Sequence, residues 1–289
     1  MRIIASPGPH DWADPQGIWA KLSCSATEST EAESLAAYEP RLQPAAQQKN
    51  AFNYDAIADA YAAGVDSAPY NALYERPATL ELLPNVDGAR VLDAGCAAGW
   101  YSVELARRGA SVTGVDSSAT LVDYAKRRVE AAKLGDRIEL HVADLSEPLD
   151  FIADHSIDGI VASLVLHYIR DWGPTLREFH RILKPGGWLL FSTHHPAADA
   201  RLFEPQRYLE TELIEDYWEW VGTVRFFRRP LSSVIQSVAD AGFIIEKLVE
   251  PLPTDEFRRQ KPESYEKALR WPEFLIIRAW CSASRVELR

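Results

Sequence analysis

The stretch VLDAGCAAGWYSVELARRGASVTGVD, residues 91–116, holds the residue types best suited to grip an adenosine-bearing cofactor. An apolar strand pattern breaks at Gly95, a helical pattern follows, and a second apolar run closes on Asp116. A glycine just after a strand lets a ligand approach bare backbone. A dinucleotide fingerprint counted from Gly95 needs glycines at 97 and 100, where this chain has Ala97 and Trp100. An indole thus fills the position where helix and pyrophosphate must come close. A phosphate-gripping loop is excluded as well, because no Gly-Lys-Ser/Thr follows. The turn reads as built for an adenosine cofactor without phosphates.

Three histidines bring acid–base chemistry near neutral pH. His167 stands in LVLHY after the fourth strand, and His194 and His195 follow the fifth, facing the same crevice. Each reads equally well as a hydrogen-bonded packing residue. Adjacent histidines on an extended segment diverge, and no carboxylate follows at ligand spacing, so no metal is expected.

The elements that must position these groups alternate regularly. RVLDAG is strand one, WYSVELARRG a helix ended by Gly109, SVTGVD strand two and ATLVDYAKRRVEAAK a helix with serine before it. RIELHVADL is strand three and IDGIVASLVLHY contains strand four. TLREFHRILKPGG is an amphipathic helix stopped by Pro185-Gly186-Gly187, and WLLFST is strand five. Nearly continuous apolar strands separated by helices imply a parallel sheet covered on both faces, an α/β fold. The segment from HHPAADARLF to FFRRP breaks the rhythm, and LSSVIQSVADAGF, IIEKLVEP and EFLIIRAW restore it. Residues 1–48, rich in Ala, Ser, Glu, Pro and Gln, read as a poorly ordered extension. Residues 49–289 read as one domain, with a helical cap over 49–83.

Composition narrows the partners. A chain of 289 residues with a formal net charge of −11 lacks the clustered Lys and Arg of a nucleic-acid groove. No apolar run approaches the ~20 residues that span a bilayer, and MRIIASPGPHDWADPQG lacks the basic and apolar regions of a signal peptide. Cys24, Cys96 and Cys281 show no metal-ligand spacing, which suits a reducing cytoplasm. These features favour a cytoplasmic protein acting on small molecules, without nucleic-acid or membrane partners.

DAGCAAG, Asp93–Gly99, resembles the first motif of class I S-adenosylmethionine-dependent methyltransferases, D/E-x-G-x-G-x-G, with Ala97 in place of the middle glycine. The similarity spans roughly residues 50–282 and is nearest to the small-molecule subgroup of ubiquinone-type and sterol-type enzymes. Alanine fits such a turn provided φ stays negative. The resemblance implies a doubly wound Rossmann-like, mostly parallel seven-stranded sheet, with S-adenosyl-L-methionine as cofactor and S-adenosyl-L-homocysteine as product. It places the methionine moiety at Asp93 and the Gly95 turn, with Ala94, Cys96 and Gly99 as further cofactor contacts (Cys96 reading more simply as a small buried filler), the ribose at Asp116 beside Ser117, and the adenine at Asp144 and Leu145. Ser163 and Leu164 fall near the sulfonium, and Tyr54 and Tyr61 on the helix that covers the cofactor.

Acceptor specificity is expected in the aromatic insertion over 196–229, with Tyr208, Tyr217, Trp218 and Arg228 as contacts. The same aromatics read equally as the private core of a small cap or as the interface of a homodimer. Methyl transfer to an oxygen, nitrogen or activated carbon is the implied reaction. A regulator that only senses the cofactor, and a nicotinamide oxidoreductase, are the alternatives.

Overall fold

The protein is described here by a computed structural model that covers residue 52, residues 54–203 and residues 207–282. The extension expected over 1–48, together with Cys24, lies outside the described residues.

Seven strands form the central sheet. They are β1 (Arg90–Ala94), β2 (Ser111–Asp116), β3 (Ile138–Val142), β4 (Ile157–Ser163), β5 (Leu183–His194), β8 (Phe243–Val249) and β9 (Phe274–Cys281), in the order β3-β2-β1-β4-β5-β9-β8. The first five run parallel and β9 pairs antiparallel with both β5 and β8. The strand order reverses between β1 and β4, so a crevice opens beyond their carboxyl ends.

Alternation of side chains explains why both faces are covered. Leu92, Ile160 and Leu189 point into a core with Trp172, Leu176 and Phe179 of one helix and Val234 and Val238 of another. Their neighbours Val91, Val161 and Leu190 point the opposite way, toward Leu82, Val103, Leu105 and Val129. Each fully buried side chain of this size contributes about 1.5–3 kcal/mol of transfer free energy. The helices concerned are α1 (Ala58–Gly64), α2 (Arg76–Leu82), α3 (Trp100–Arg107), α4 (Ala119–Ala132), α5 (Trp172–Ile182), α6 (Pro196–Phe203) and α7 (Leu231–Asp240). Ser118 caps α4 by accepting the Leu121 N–H at 3.1 Å, the role its place before the helix suggests.

One boundary differs from the sequence reading. Helix α5 ends at Ile182, and the extended backbone begins at Leu183, ahead of Pro185. Proline disfavours helical backbone in the residue before it, so the chain straightens early and the Gly186-Gly187 pair sits inside a bulged stretch of β5. The insertion after β5 is α6 followed by a hairpin of β6 (Glu212–Trp218) and β7 (Gly222–Arg228).

Gly159 of β4 lies opposite Trp188 of β5, and a Cβ added there would come within 2.0 Å of the indole. Gly159→Ala therefore overpacks the sheet and is expected to cost about 1–3 kcal/mol. Urea denaturation measures this, and an unchanged midpoint would contradict the packing described.

Candidate functional site

The turn after β1 is shaped by three residues with positive φ. Gly95 (φ 76) and Gly99 (φ 80) adopt it readily, and Ala97 adopts it too, with φ 46. This corrects the expectation of a negative φ at Ala97. The strained conformation persists because its N–H is captured by Asp116 Oδ2 at 2.9 Å. Gly95 needs its missing Cβ, which would fall 2.4 Å from Val165 Cγ2. Gly99 allows helix packing, since a Cβ there would lie 2.9 Å from that of Ala125.

Asp116 is the meeting point of the site. Its Oδ1 accepts the Ser118 N–H at 2.9 Å while Oδ2 holds Ala97. Burial raises its pKa above the ordinary carboxylate value, and the backbone N–H groups of Ser118 and Ala97 work against that rise. The Ser118 hydroxyl donates to Asp55 at 2.5 Å, tethering the chain segment that carries Tyr54.

A crevice lies above this turn. Tyr54, Tyr61, Gly95, Asp116, Ser117, Asp144, Leu145, Ser163 and Leu164 all line it. Asp144 is fixed by the Ser146 N–H at 2.8 Å. Four further expected cofactor residues do not face the crevice. Asp93, Ala94 and Cys96 are buried beneath it, and Gly99 serves the helix packing just described. Burial lifts the Asp93 carboxyl to about 7, although Ser102 donates to it at 2.5 Å. Burial also pushes the Cys96 thiol well up, so it stays protonated.

Aromatic rings wall one end. Tyr54 meets Phe52, Tyr61 and Tyr168 edge-on, and its hydroxyl lies 2.5 Å from that of Tyr168. Burial keeps the phenols of Tyr54 and Tyr168 protonated.

The histidines separate by role. His195 is spent on structure: Nε2 lies 2.8 Å from Glu250 Oε1 and Nδ1 accepts the Ala197 N–H. That corrects its candidacy as a catalytic group. His194 stacks on His167 at 4.1 Å, meets Phe226 edge-on and has Nδ1 3.9 Å from Asp199. Burial pushes the His194 imidazole down to about 4 and His167 well below its usual value. Both rings are neutral at physiological pH. They sit behind Tyr168, which borders both His167 and the crevice.

The hairpin reaches over the crevice through Trp220, which stacks on Tyr61 at 5.6 Å and covers the backbone of Gly64. Trp218 stacks on Trp220 and lies 6.3 Å from His194. Tyr217 faces solvent at 61% exposure, and the Tyr208 hydroxyl accepts the Leu231 N–H. Arg228 is fully buried, and it donates to Glu212 and to the carbonyls of Arg207, Tyr208 and Glu210. It staples the hairpin, which corrects its assignment to a substrate carboxylate.

Phe52, Leu121, Val165 and Ile169 also line the crevice without having been expected there, and two further residues that escaped the sequence reading matter more. Tyr168 adjoins His167 in LVLHY and was overshadowed by it. Glu75 is 1% exposed beneath the crevice, and it shares a helical face with the buried Thr79 and Leu82. That spacing was the signal available for it. Among the described residues no group of His, Cys, Asp and Glu is arranged to hold a metal ion, and no helix is long and apolar enough to cross a membrane.

Residues 92–191 match the family model for a methyltransferase domain. An S-adenosylmethionine-dependent methyltransferase from Mesorhizobium loti is 31% identical with a TM-score of 0.62, covering 75% of this chain and 100% of that one. An uncharacterized protein of Haemophilus influenzae is 26% identical over 72% of this chain and 87% of its own length. The magnesium-protoporphyrin O-methyltransferase of Rhodobacter capsulatus is 42% identical over 106 residues, 36% of this chain and 45% of that protein. The chain thus spans about half the length of the named curated methyltransferases it matches.

The strain at Ala97 gives a direct test. Ala97→Gly is expected to stabilise the protein by up to about 1 kcal/mol, because glycine tolerates positive φ at little cost. A fall in melting temperature would contradict the backbone geometry.

Proposed function

Since the chain belongs to the class I S-adenosylmethionine-dependent methyltransferases, we propose that it methylates an oxygen, nitrogen or activated carbon of a small-molecule acceptor. The observation that carries this reading is the lining of the crevice. Two carboxylates, Asp116 and Asp144, stand in it with aromatic, apolar and hydroxyl groups, and among the described residues no Lys or Arg lines it. Such a surface suits a phosphate-free, positively charged ligand. The residues present therefore fit the cofactor.

In this reading Asp116 accepts from the ribose hydroxyls and Asp144 from the adenine amino group, with Leu145 against the ring. The bound sulfonium would supply an activated methyl group and depart as a neutral thioether. The chain's own contribution is alignment and exclusion of water. Tyr54, Tyr61 and Tyr168 close the crevice from the segment 54–64 and the loop after β4. We assign these helices and the 196–229 insertion as caps, the second bounding the acceptor side between Tyr168, His194 and Trp218. His194, neutral above about pH 4, is the candidate to accept a proton from a hydroxyl acceptor that reaches past Tyr168, and His167 stacks on its ring. No step in this scheme calls for a metal, and a cytoplasmic location accords with the composition.

The test is calorimetry with S-adenosylmethionine. Saturable one-to-one binding is expected, together with a rise in melting temperature that Asp116→Ala abolishes. The unliganded variant melts lower but still cooperatively, because two backbone N–H groups lose their acceptor. Undetectable binding to the wild type would defeat the proposal.

Affinity should also depend on pH in a definite direction. Burial holds the Asp93 carboxyl near 7, so the empty protein at pH 6 carries it largely protonated. A cation in the crevice above favours the ionised form, so a proton leaves on binding. Affinity is expected to rise from pH 6 to 8, and Asp93→Asn should flatten the rise. Affinity that falls over this window in the wild type would contradict the assignment.

A further inference from the structure

Beneath the crevice, Glu75 closes a π-helical turn, Asn71–Glu75, that leads into α2. Such turns re-aim a side chain by one residue and are frequent at functional sites. The Glu75 carboxylate is almost wholly buried and makes no ion pair with any described residue. The guanidinium of neighbouring Arg76 lies over the Trp100 ring and donates to the Asp66 carbonyl. Hydroxyls from four places converge on Glu75. Thr79 of α2 lies at 2.8 Å, Tyr101 of α3 at 3.1 Å, Ser163 at the end of β4 at 2.9 Å and Ser192 of β5 at 2.6 Å.

The count of protons fixes their direction. A serine hydroxyl has one proton and two lone pairs, and an ionised carboxylate only accepts. Ser192 already accepts the Leu164 N–H at 3.0 Å, and its proton goes to Glu75. The Ser163 proton goes there as well. Ser163 lines the crevice, so it offers a ligand lone pairs and no donor, with a negative charge directly behind it.

We propose that Glu75 is a positioning residue that makes the crevice prefer a positively charged methyl donor to its neutral product. It acts by orienting the Ser163 hydroxyl and backing it with charge. This inference rests on the methyl-donor reading above and deepens it. A neutral thioether left after transfer loses the attraction, so the same device favours exchange of product for fresh donor. An amide at position 75 would accept at one oxygen only and would have to donate two protons itself. Thr79, Ser163 and Ser192 all donate to Oε1, so an amide oxygen kept there would leave them in place, the Tyr101 hydroxyl that meets Oε2 would turn, and the charge would be gone.

Calorimetric titration of the full chain tests this with three probes. These are S-adenosylmethionine, sinefungin, which carries an amine in place of the sulfonium, and S-adenosylhomocysteine, which is neutral there. Glu75→Gln is expected to weaken the two cationic ligands about tenfold, equivalent to about 1.4 kcal/mol, while S-adenosylhomocysteine changes less than twofold. Equal loss for all three ligands, as a merely structural role would give, or no loss for any, overturns the proposal. Should Glu75→Gln not fold cooperatively, Ser163→Ala carries the test. It removes the oriented hydroxyl, and the same narrowing of the cationic-to-neutral preference is expected. An unchanged preference in that variant overturns the proposal. A wild type that binds none of the three ligands defeats the methyl-donor reading itself, and this inference with it.

Discussion

The carboxylate of Asp116 is the interaction on which the site depends. It stands at the end of β2, where the parallel strand order places it beside the turn that follows β1. By accepting the N–H groups of Ala97 and Ser118 together, it joins that turn to the start of α4. Ala97 is thereby held in a conformation that an alanine on its own would leave. Ser118 in turn grips Asp55, and the adjoining Tyr54 is brought against Tyr168. One buried acid thus connects the sheet, the loop, the helix and the cover of the crevice.

Charge gives the crevice its character. Acids lie in it and below it, at Asp116, Asp144, Asp93 and Glu75, while the arginines nearby are committed elsewhere. Arg76 lies over Trp100, and Arg229 is stacked on Trp172 and bonded to the Ile169 carbonyl. A site with this balance favours a cation over a phosphate. The hairpin after β5 adds a roof. Its Trp220 reaches Tyr61 and the bare backbone of Gly64, a position where any larger residue would collide with the indole.

Much of the fold was legible because its signals are local. Alternating apolar residues, a glycine after the first strand and a serine ahead of α4 are read from neighbours in the chain. The crevice residues Gly95, Asp116, Asp144 and Ser163 sit at strand ends, so placing the strands placed them too. What stayed hidden depends on convergence of distant segments. Glu75 in YERP looks like a solvated acid until four hydroxyls meet it, and Arg228 beside Arg229 looks like a surface pair until the hairpin carbonyls close around it. The divergence of His194 and His195 was foreseeable from extended backbone, but which of them turns toward His167 was set by the packing of β5. The positive φ at Ala97 had no local signal beyond its place in a glycine-rich turn.

The most direct measurement is a crystal structure of the protein with S-adenosylhomocysteine bound. The account predicts the ribose hydroxyls on Asp116, the adenine edge on Asp144 and the sulfur directed to the end of the crevice bounded by Ser163 and Tyr168. A nucleoside found elsewhere on the molecule, or an Asp116 carboxylate that touches no part of it, would contradict the account.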